Sequence, residues 1–274
     1  MRGLKKLMSA AKASMKSSTP IPSATPIKVG VDLGTAFTVI MVTDEADQPL
    51  AGASVFADVV RDGVVWNFAG AREVVAGLKA DLERRIGRSL TSATVTVPPA
   101  VHESDHRAHR YVVEGAGIDC TQVIDEVTAA NAVLKVSDGA VVDIGGGTTG
   151  IAVIKDGRVV KVVDEPSGGT HMSLVLAGGL GISFEEAEKL KRKPGQHARL
   201  APMVTPVLEK MATIVARAID GHDVGHIHLV GGTSSFTGIE DIMSRVTGVP
   251  ASAAPAPMLV TPLGVASWAE PITD

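Results

Sequence analysis

The sequence predicts an α/β protein built from two similar halves, and three observations carry that prediction. One phrase occurs twice, as Val31-Asp32-Leu33-Gly34-Thr35 and as Val142-Asp143-Ile144-Gly145-Gly146-Gly147-Thr148. In each copy an apolar run ends in Asp, Gly and Thr follow, and apolar residues resume, Phe37 to Val42 in the first and Ile151 to Ile154 in the second. That is the pattern of a strand–turn–strand hairpin. After each hairpin, runs with strand spacing give way to runs with helical spacing, so the order of elements broadly restarts at the second copy. Finally, 274 residues with 45% hydrophobic content supply enough apolar material for two cores.

Taken in order, residues 1–27 read as a unit apart. Leu4, Leu7, Met8, Ala11 and Met15 fall in one helical stripe, with Lys5, Lys12 and Lys16 on another. Ser17 to Pro26, with Pro20, Pro22 and Pro26, reads as an extended linker. The first half then spans residues 28–139. Pro49 to Phe68 supplies further strands, with a turn at Asp62-Gly63. Glu73 to Arg88 has helical spacing in Val74, Val75, Leu78, Leu82 and Ile86. Ala93 to Val97 is a strand stopped by Pro98-Pro99. His102 to Glu114 is a helix, Gln122 to Ile124 a strand and Asp125 to Val136 a helix. In the second half, residues 140–255, Arg158 to Val163 is a strand. Phe184 to Arg192 and Val204 to Asp220 are helices, and His226 to Val230 is a strand running into Gly231-Gly232-Thr233-Ser234. A last helix, Pro262 to Trp268, lies in the segment 256–274, which is expected to return to the first half. Two such halves predict a ligand cleft between them.

Composition narrows the function. A net charge of −4 argues against nucleic acid as the main partner, because neutralising phosphates needs a basic surface. Aromatic residues make up 3% of the chain, too few for stacking platforms. Cys120 is the single cysteine and cannot form an internal disulfide, which fits a reducing compartment; between Ile118 and Val123 it reads as a strand-edge residue. There is no run of eighteen apolar residues, so no membrane span is expected, and lysines interrupt any signal-peptide core. The expected location is the cytoplasm.

The repeated phrase has its own chemistry. Glycine lets backbone N–H groups approach an anion without interference from Cβ. Thr hydroxyls add donors, and Asp at each strand end can hold a divalent cation through water. A lone copy would read as an ordinary tight hairpin. Two Asp-led copies point to a polyphosphate and its metal.

With these residues placed, the chain resembles the actin-like ATPase superfamily of actin, DnaK-type chaperones and sugar kinases. Five motifs appear in the family's order. Gly30 to Thr35 looks like the first phosphate loop, and Val97 to Ala130, ending Asp125-Glu126-Val127-Thr128-Ala129-Ala130, like the first connecting segment. Val142 to Thr149 looks like the second phosphate loop, Leu229 to Ser234 like the adenosine motif, and Thr261 to Ala266 like the second connection. The resemblance implies two duplicated ribonuclease-H-like lobes around a nucleotide cleft. Within the superfamily, Ala57 to Gly63, Asp143 to Ala152, Leu176 to Glu188 and Glu209 to Arg217 resemble the ethanolamine-utilisation protein J family, DnaK-like proteins encoded with bacterial microcompartments.

The resemblance implies that Gly34, Thr35, Gly145, Gly146, Gly147 and Thr148 touch the phosphates of ATP. Asp32 and Asp143 would hold Mg²⁺ through water, with Asp143 and Glu126 serving catalysis, the latter by positioning the attacking water. Glu188, Lys191 and Arg192 match the Glu-x-x-Lys-Arg helix that closes over ribose and adenine, although the same spacing also describes a surface ion pair. Gly231, Gly232, Thr233 and Ser234 would form the wall beneath the nucleoside. The implied role is a chaperone or reactivating factor associated with a microcompartment, in which slow hydrolysis drives lobe closure. Its partner would be a client enzyme or shell component, on which the stripe of residues 1–18 is expected to dock.

Departures from the pattern bear on turnover. Ala36 stands where DnaK-type loops keep a second Thr, and Thr149-Gly150 replaces Phe-Asp. No lysine between Val55 and Val97 matches the chaperones' catalytic lysine, Lys79 lying on a helix without a motif. Nucleotide binding is therefore expected more firmly than fast hydrolysis. No peptide-binding domain follows Ala266, so client clamping is not expected. Alternative readings are an actin-like scaffold or filament switched by nucleotide and a small-molecule kinase. His102-Glu103-Ser104-Asp105-His106 also satisfies a zinc-protease pattern, with Glu126 as a third ligand, but its run is almost wholly polar and lacks the burial such a site needs. His222, His226 and His228 read as loop and strand-edge residues.

Overall fold

The structure, a computed structural model, describes residues 2–61, 63–99 and 103–273, without the side chains of 103–105. The chain divides into two units, residues 1–135 with 259–274, and residues 136–258. Helix α1 (Arg2–Ser14) leads into the first sheet. Its strands are β1 (Lys28–Leu33), β2 (Phe37–Thr43) and β3 (Pro49–Phe56), followed after the small pair β4 (Val60–Arg61) and β5 (Val64–Val65) and helix α2 (Phe68–Ile86) by β6 (Ser92–Val97). Helix α3 (Glu103–Gly115), strand β7 (Asp119–Asp125) and helix α4 (Glu126–Leu134) complete the continuous part of this unit. The second unit holds β8 (Gly139–Ile144), β9 (Thr149–Lys155), β10 (Arg158–Glu165), α5 (Gly169–Leu180), α6 (Phe184–Lys191) and α7 (His197–Ile219). It ends with β11 (Ile227–Val230), α8 (Ile239–Thr247) and β12 (Ala251–Ala253), before α9 (Val260–Ser267) returns to the first.

The two sheets have the same topology. The first runs β3-β2-β1-β6-β7 and the second β10-β9-β8-β11-β12. In each, three strands form an antiparallel meander and two more join in parallel. Parallel neighbours need crossovers: α2 lies between β1 and β6 and α3 between β6 and β7, while α5, α6 and α7 lie between β8 and β11 and α8 between β11 and β12. The register repeats as well. Leu33 pairs with Thr38 and Ile144 with Thr149, so a four-residue loop closes each first hairpin. Gly34 N–H donates to Phe37 O at 3.1 Å and Gly145 N–H to Thr148 O at 3.0 Å, the same bond in both loops. Thr148 therefore holds the place of Phe37, not that of Thr35.

Local signals set many helix ends. Asn67 caps α2, accepting from Gly70 N–H at 2.9 Å, and Gly87 closes it in the left-handed region. Asp125 caps α4 through Thr128 N–H, and Ser183 with Glu186 forms a capping box on α6. Helix α7 begins seven residues before the expected Val204 and runs through Pro202 and Pro206. A buried face of Leu200, Val204, Leu208, Met211, Ala212 and Val215 outweighs the interruption.

The amino-terminal stripe departs from expectation. Its helix forms, but the stripe packs on the chain's own β3 and is not left free for a partner. Met8 and Ala11 are fully buried, and Met15 Sδ sits where any Cβ at Gly52 would be. The following segment is clamped by arginines of α2 and its end. Arg85 donates to the carbonyls of Ser17 at 2.6 Å and Met15 at 3.2 Å, and Arg88 to those of Pro22 at 2.7 Å and Thr25 at 2.9 Å. Among the described residues the segment pairs with no strand, and the guanidinium groups supply donors to its carbonyls.

Candidate nucleotide site

Most residues expected to contact the nucleotide come from the second unit, where the structure brings them together around the loop Gly145–Thr148. Gly145 O accepts from Gly169 N–H at 3.0 Å and from Thr233 Oγ1 at 2.7 Å, and Gly146 O accepts from Thr170 N–H at 2.8 Å. The carbonyls of the turn are thereby fixed from outside it. The N–H groups of Gly146, Gly147 and Thr148 make no bond among the described residues, an arrangement that suits an anion.

Close approach is paid for in glycine. A Cβ at Gly168 would meet Gly146 O at 2.5 Å, and one at Gly169 would strike Thr233 Oγ1. Gly231 has φ +85, and a Cβ there would overlap Asp143 Oδ1. Asp143, at the end of β8, is 5% exposed, so its carboxylate is held by the fold, while Gly145 and Gly146 in the loop beside it are half-buried. Ser234 Oγ donates to Val230 O at 2.6 Å, closing the turn Gly232–Ser235 that follows β11.

The helix α6 adds charge. Glu188 is 5% exposed, and its Oε2 accepts from Ser173 Oγ and Lys191 Nζ, both at 2.6 Å. Lys191 Nζ also donates to Gly169 O at 2.8 Å. Burial pushes the Lys191 ammonium below its usual range, against the opposing pull of Glu188. Arg192 lies 3.6 Å from Glu188 Oε1 with its side chain 41% exposed, so it presents the outward charge of the motif. The surface-pair reading of Glu188 does not hold, because its carboxylate faces inward to Ser173 and Lys191.

In the first unit, Asp32 is half-buried at the end of β1 and accepts from Thr96 Oγ1 at 2.7 Å. Gly34 and Thr35 form the first loop, whose Ala36 O accepts from Ala57 N–H at 3.2 Å. Glu126 is the first residue of α4 and is half-buried. The zinc pattern falls largely outside the described residues at His102 and the side chain of Glu103. Among the described residues no three His, Cys, Asp or Glu form a metal cluster. His228 stands on β11 and His226 just before it, with rings 4.7 Å apart, and His226 Nε2 lies 2.8 Å from Ser252 Oγ.

Comparison with known proteins places this geometry. The ethanolamine utilization protein EutJ of Escherichia coli strain K12 is 42% identical over 258 residues, 93% of this chain and 90% of that protein. That of Salmonella typhimurium is 42% identical over 256 residues, with the same coverage. The chain belongs to the EutJ family. The crystal structure of EutJ from Carboxydothermus hydrogenoformans superposes with a TM-score of 0.91 at 43% identity, over 97% of this chain and 98% of that one. MreB5 of Spiroplasma citri bound to ADP gives 0.71 at 15% identity, over 89% and 95%. Family models of the cell division protein FtsA and of the MreB/Mbl protein match residues 140–264 and 55–177. The chaperone DnaK of Akkermansia muciniphila is 36% identical over 107 residues, 37% of this chain and 17% of that protein. EutJ-family membership and the actin-like ATPase fold are thus both established for this chain. No described helix is long and apolar enough to cross a membrane.

Sequence reasoning passed over part of this candidate site. Gly168, Gly169, Thr170 and Ser173 pack directly on the loop and on Glu188. Their signal was the second glycine cluster, Ser167-Gly168-Gly169-Thr170, just before a helix.

Proposed function

We propose that this EutJ-family protein binds ATP·Mg²⁺ and acts as a nucleotide-switched chaperone or reactivating factor for a protein of ethanolamine utilisation. The observation that carries the reading is the loop Gly145–Thr148, whose carbonyls are tied down while three successive N–H groups stay unengaged among the described residues. Gly34 and Thr35 would receive phosphate in the same way, and Gly231 to Ser234 with Lys191 and Arg192 the nucleoside. The donor set fits the cation. Asp32 and Asp143 are hard oxygen ligands suited to Mg²⁺ held through water, and glycine at 231 leaves room for the Asp143 carboxylate. The ion would supply charge neutralisation at the phosphates.

Glu126 would orient the attacking water, while Ala36, Gly150 and the missing lysine leave charge stabilisation incomplete, so turnover is slow. Single-turnover hydrolysis should fall further in Glu126→Gln with ATP affinity retained; a wild-type rate of tens per second, as for a vigorous kinase, would contradict slow turnover. The names of the EutJ relatives support ethanolamine utilisation, and the DnaK likeness supports the chaperone role. The location read from the sequence is cytoplasmic, with a microcompartment enzyme or shell component as partner.

The test is capture of the pathway's purified enzymes and shell proteins on the immobilised protein loaded with ATP or with ADP. One partner should be held more tightly in one state. Equal capture in both would remove the switch, since a ligand with no differential affinity shifts no equilibrium.

A further inference from the structure

His197, the first residue of α7, belongs to no motif that carries the nucleotide reading, yet it joins two parts of that site. It is 4% exposed and its ring stacks on Phe236 at 4.2 Å between centroids and 24° between planes. Thr237 N–H donates to Nδ1 at 3.0 Å, and Thr237 Oγ1 lies 2.9 Å from the same nitrogen. A backbone N–H can only donate, so Nδ1 is the acceptor of a neutral ring and the hydrogen sits on Nε2. Nε2 lies 2.8 Å from Lys191 O and donates to it. One buried imidazole therefore fastens the end of α6 to the segment that follows the Gly232–Ser235 turn.

We infer that His197 is a positioning residue for nucleoside recognition, holding Lys191 and Arg192 in register with Gly231 to Ser234. The inference rests on the proposed ATP site and names a residue that sets its selectivity. His197 bonds to none of Gly169, Thr170 and Thr233, which fix the Gly145–Thr148 loop, and reaches that loop at one remove, through Lys191, whose Nζ donates to Gly169 O. Loss of the clip should therefore loosen the nucleoside end and leave the phosphate end in place. Lys193, Pro194 and Gly195, which carry the chain between α6 and α7, are exposed, so His197 is a buried link between the Lys191 backbone and the segment after the Gly232–Ser235 turn, beside the side-chain bonds of Lys191 to Glu188 and Gly169.

Affinities for ATP·Mg²⁺ and for Mg²⁺ tripolyphosphate, which has no nucleoside, test this in the full chain, with His197→Leu and His197→Gln. Leu fills the space without a donor or acceptor, whereas Gln carries one of each. Leu should weaken ATP about tenfold, near 1.4 kcal/mol, and leave tripolyphosphate within about twofold, as expected when one hydrogen-bonded link is cut. Gln should restore ATP to within about threefold of wild type. ATP binding by Leu equal to wild type, or equal loss of both ligands, would overturn the positioning role while leaving the ATP site standing. Wild-type protein that binds no ATP would remove the site itself.

Discussion

Asp143 can be as buried as it is because residue 231 has no side chain. The glycine serves twice, through its positive φ and through the space its missing Cβ leaves for the carboxylate. The Asp-Ile-Gly-Gly-Gly-Thr phrase and the Gly-Gly-Thr-Ser phrase were both visible in the sequence, but their contact was not, since it joins β8 to the end of β11. The same holds for Ser173 and Glu188, which meet through helix packing that no local pattern announces. A second residue-scale consequence concerns acid. Burial, with His226 alongside, lowers the pKa of His228 in the folded chain. A lowered folded-state pKa means the unfolded chain binds the proton more readily, so this residue's contribution is intact above the unfolded value and is lost as pH falls through it. Melting curves from about pH 7.5 to about pH 5 should show wild type losing more stability than His228→Gln. Parallel losses would show that His228 does not titrate in this way.

At the scale of elements, α1 shows where periodicity stops being informative. The stripe of Met8 and Ala11 was legible, and so was the Pro-rich stretch after it, but both patterns are silent on what they face. The answer lies in Gly52, which leaves space for Met15, and in Arg85 and Arg88, which donate to carbonyls near the prolines. Helix α7 errs the other way, since it begins before the expected Val204 and a continuous apolar face outweighs Pro202 and Pro206 within it. Packing of α1 on β3 carries a direct test. Met8→Ala removes a fully buried side chain and should lower the unfolding free energy by about 2–5 kcal/mol, with chemical denaturation as the readout. An unchanged midpoint would mean that the helix contributes nothing to the first unit.

For the whole molecule, the duplication was readable from two short phrases, and the structure repeats it as two sheets of identical strand order. Strand β11 was legible as His226 to Val230, whereas β12 and the helices α5 and α8 were not read from the sequence. β12 is three residues long and α5 carries Gly169, Gly178 and Gly179, so neither has a strong periodic signature. The repeated hairpins end in loops closed by the same backbone bond, and in the second the N–H groups of Gly146, Gly147 and Thr148 stay unengaged among the described residues.

The central claim is that this second loop receives the phosphates of ATP. Thermal denaturation of wild type and Gly146→Val, each with and without ATP·Mg²⁺, tests it most directly. A ligand at one hundred times its dissociation constant adds about 2.7 kcal/mol of stability. Wild type should therefore melt several degrees higher with ATP·Mg²⁺, whereas Gly146→Val, with a branched side chain beside the phosphate, should gain nothing over its own ligand-free curve. Equal stabilisation of both proteins, or none of wild type, would contradict the account.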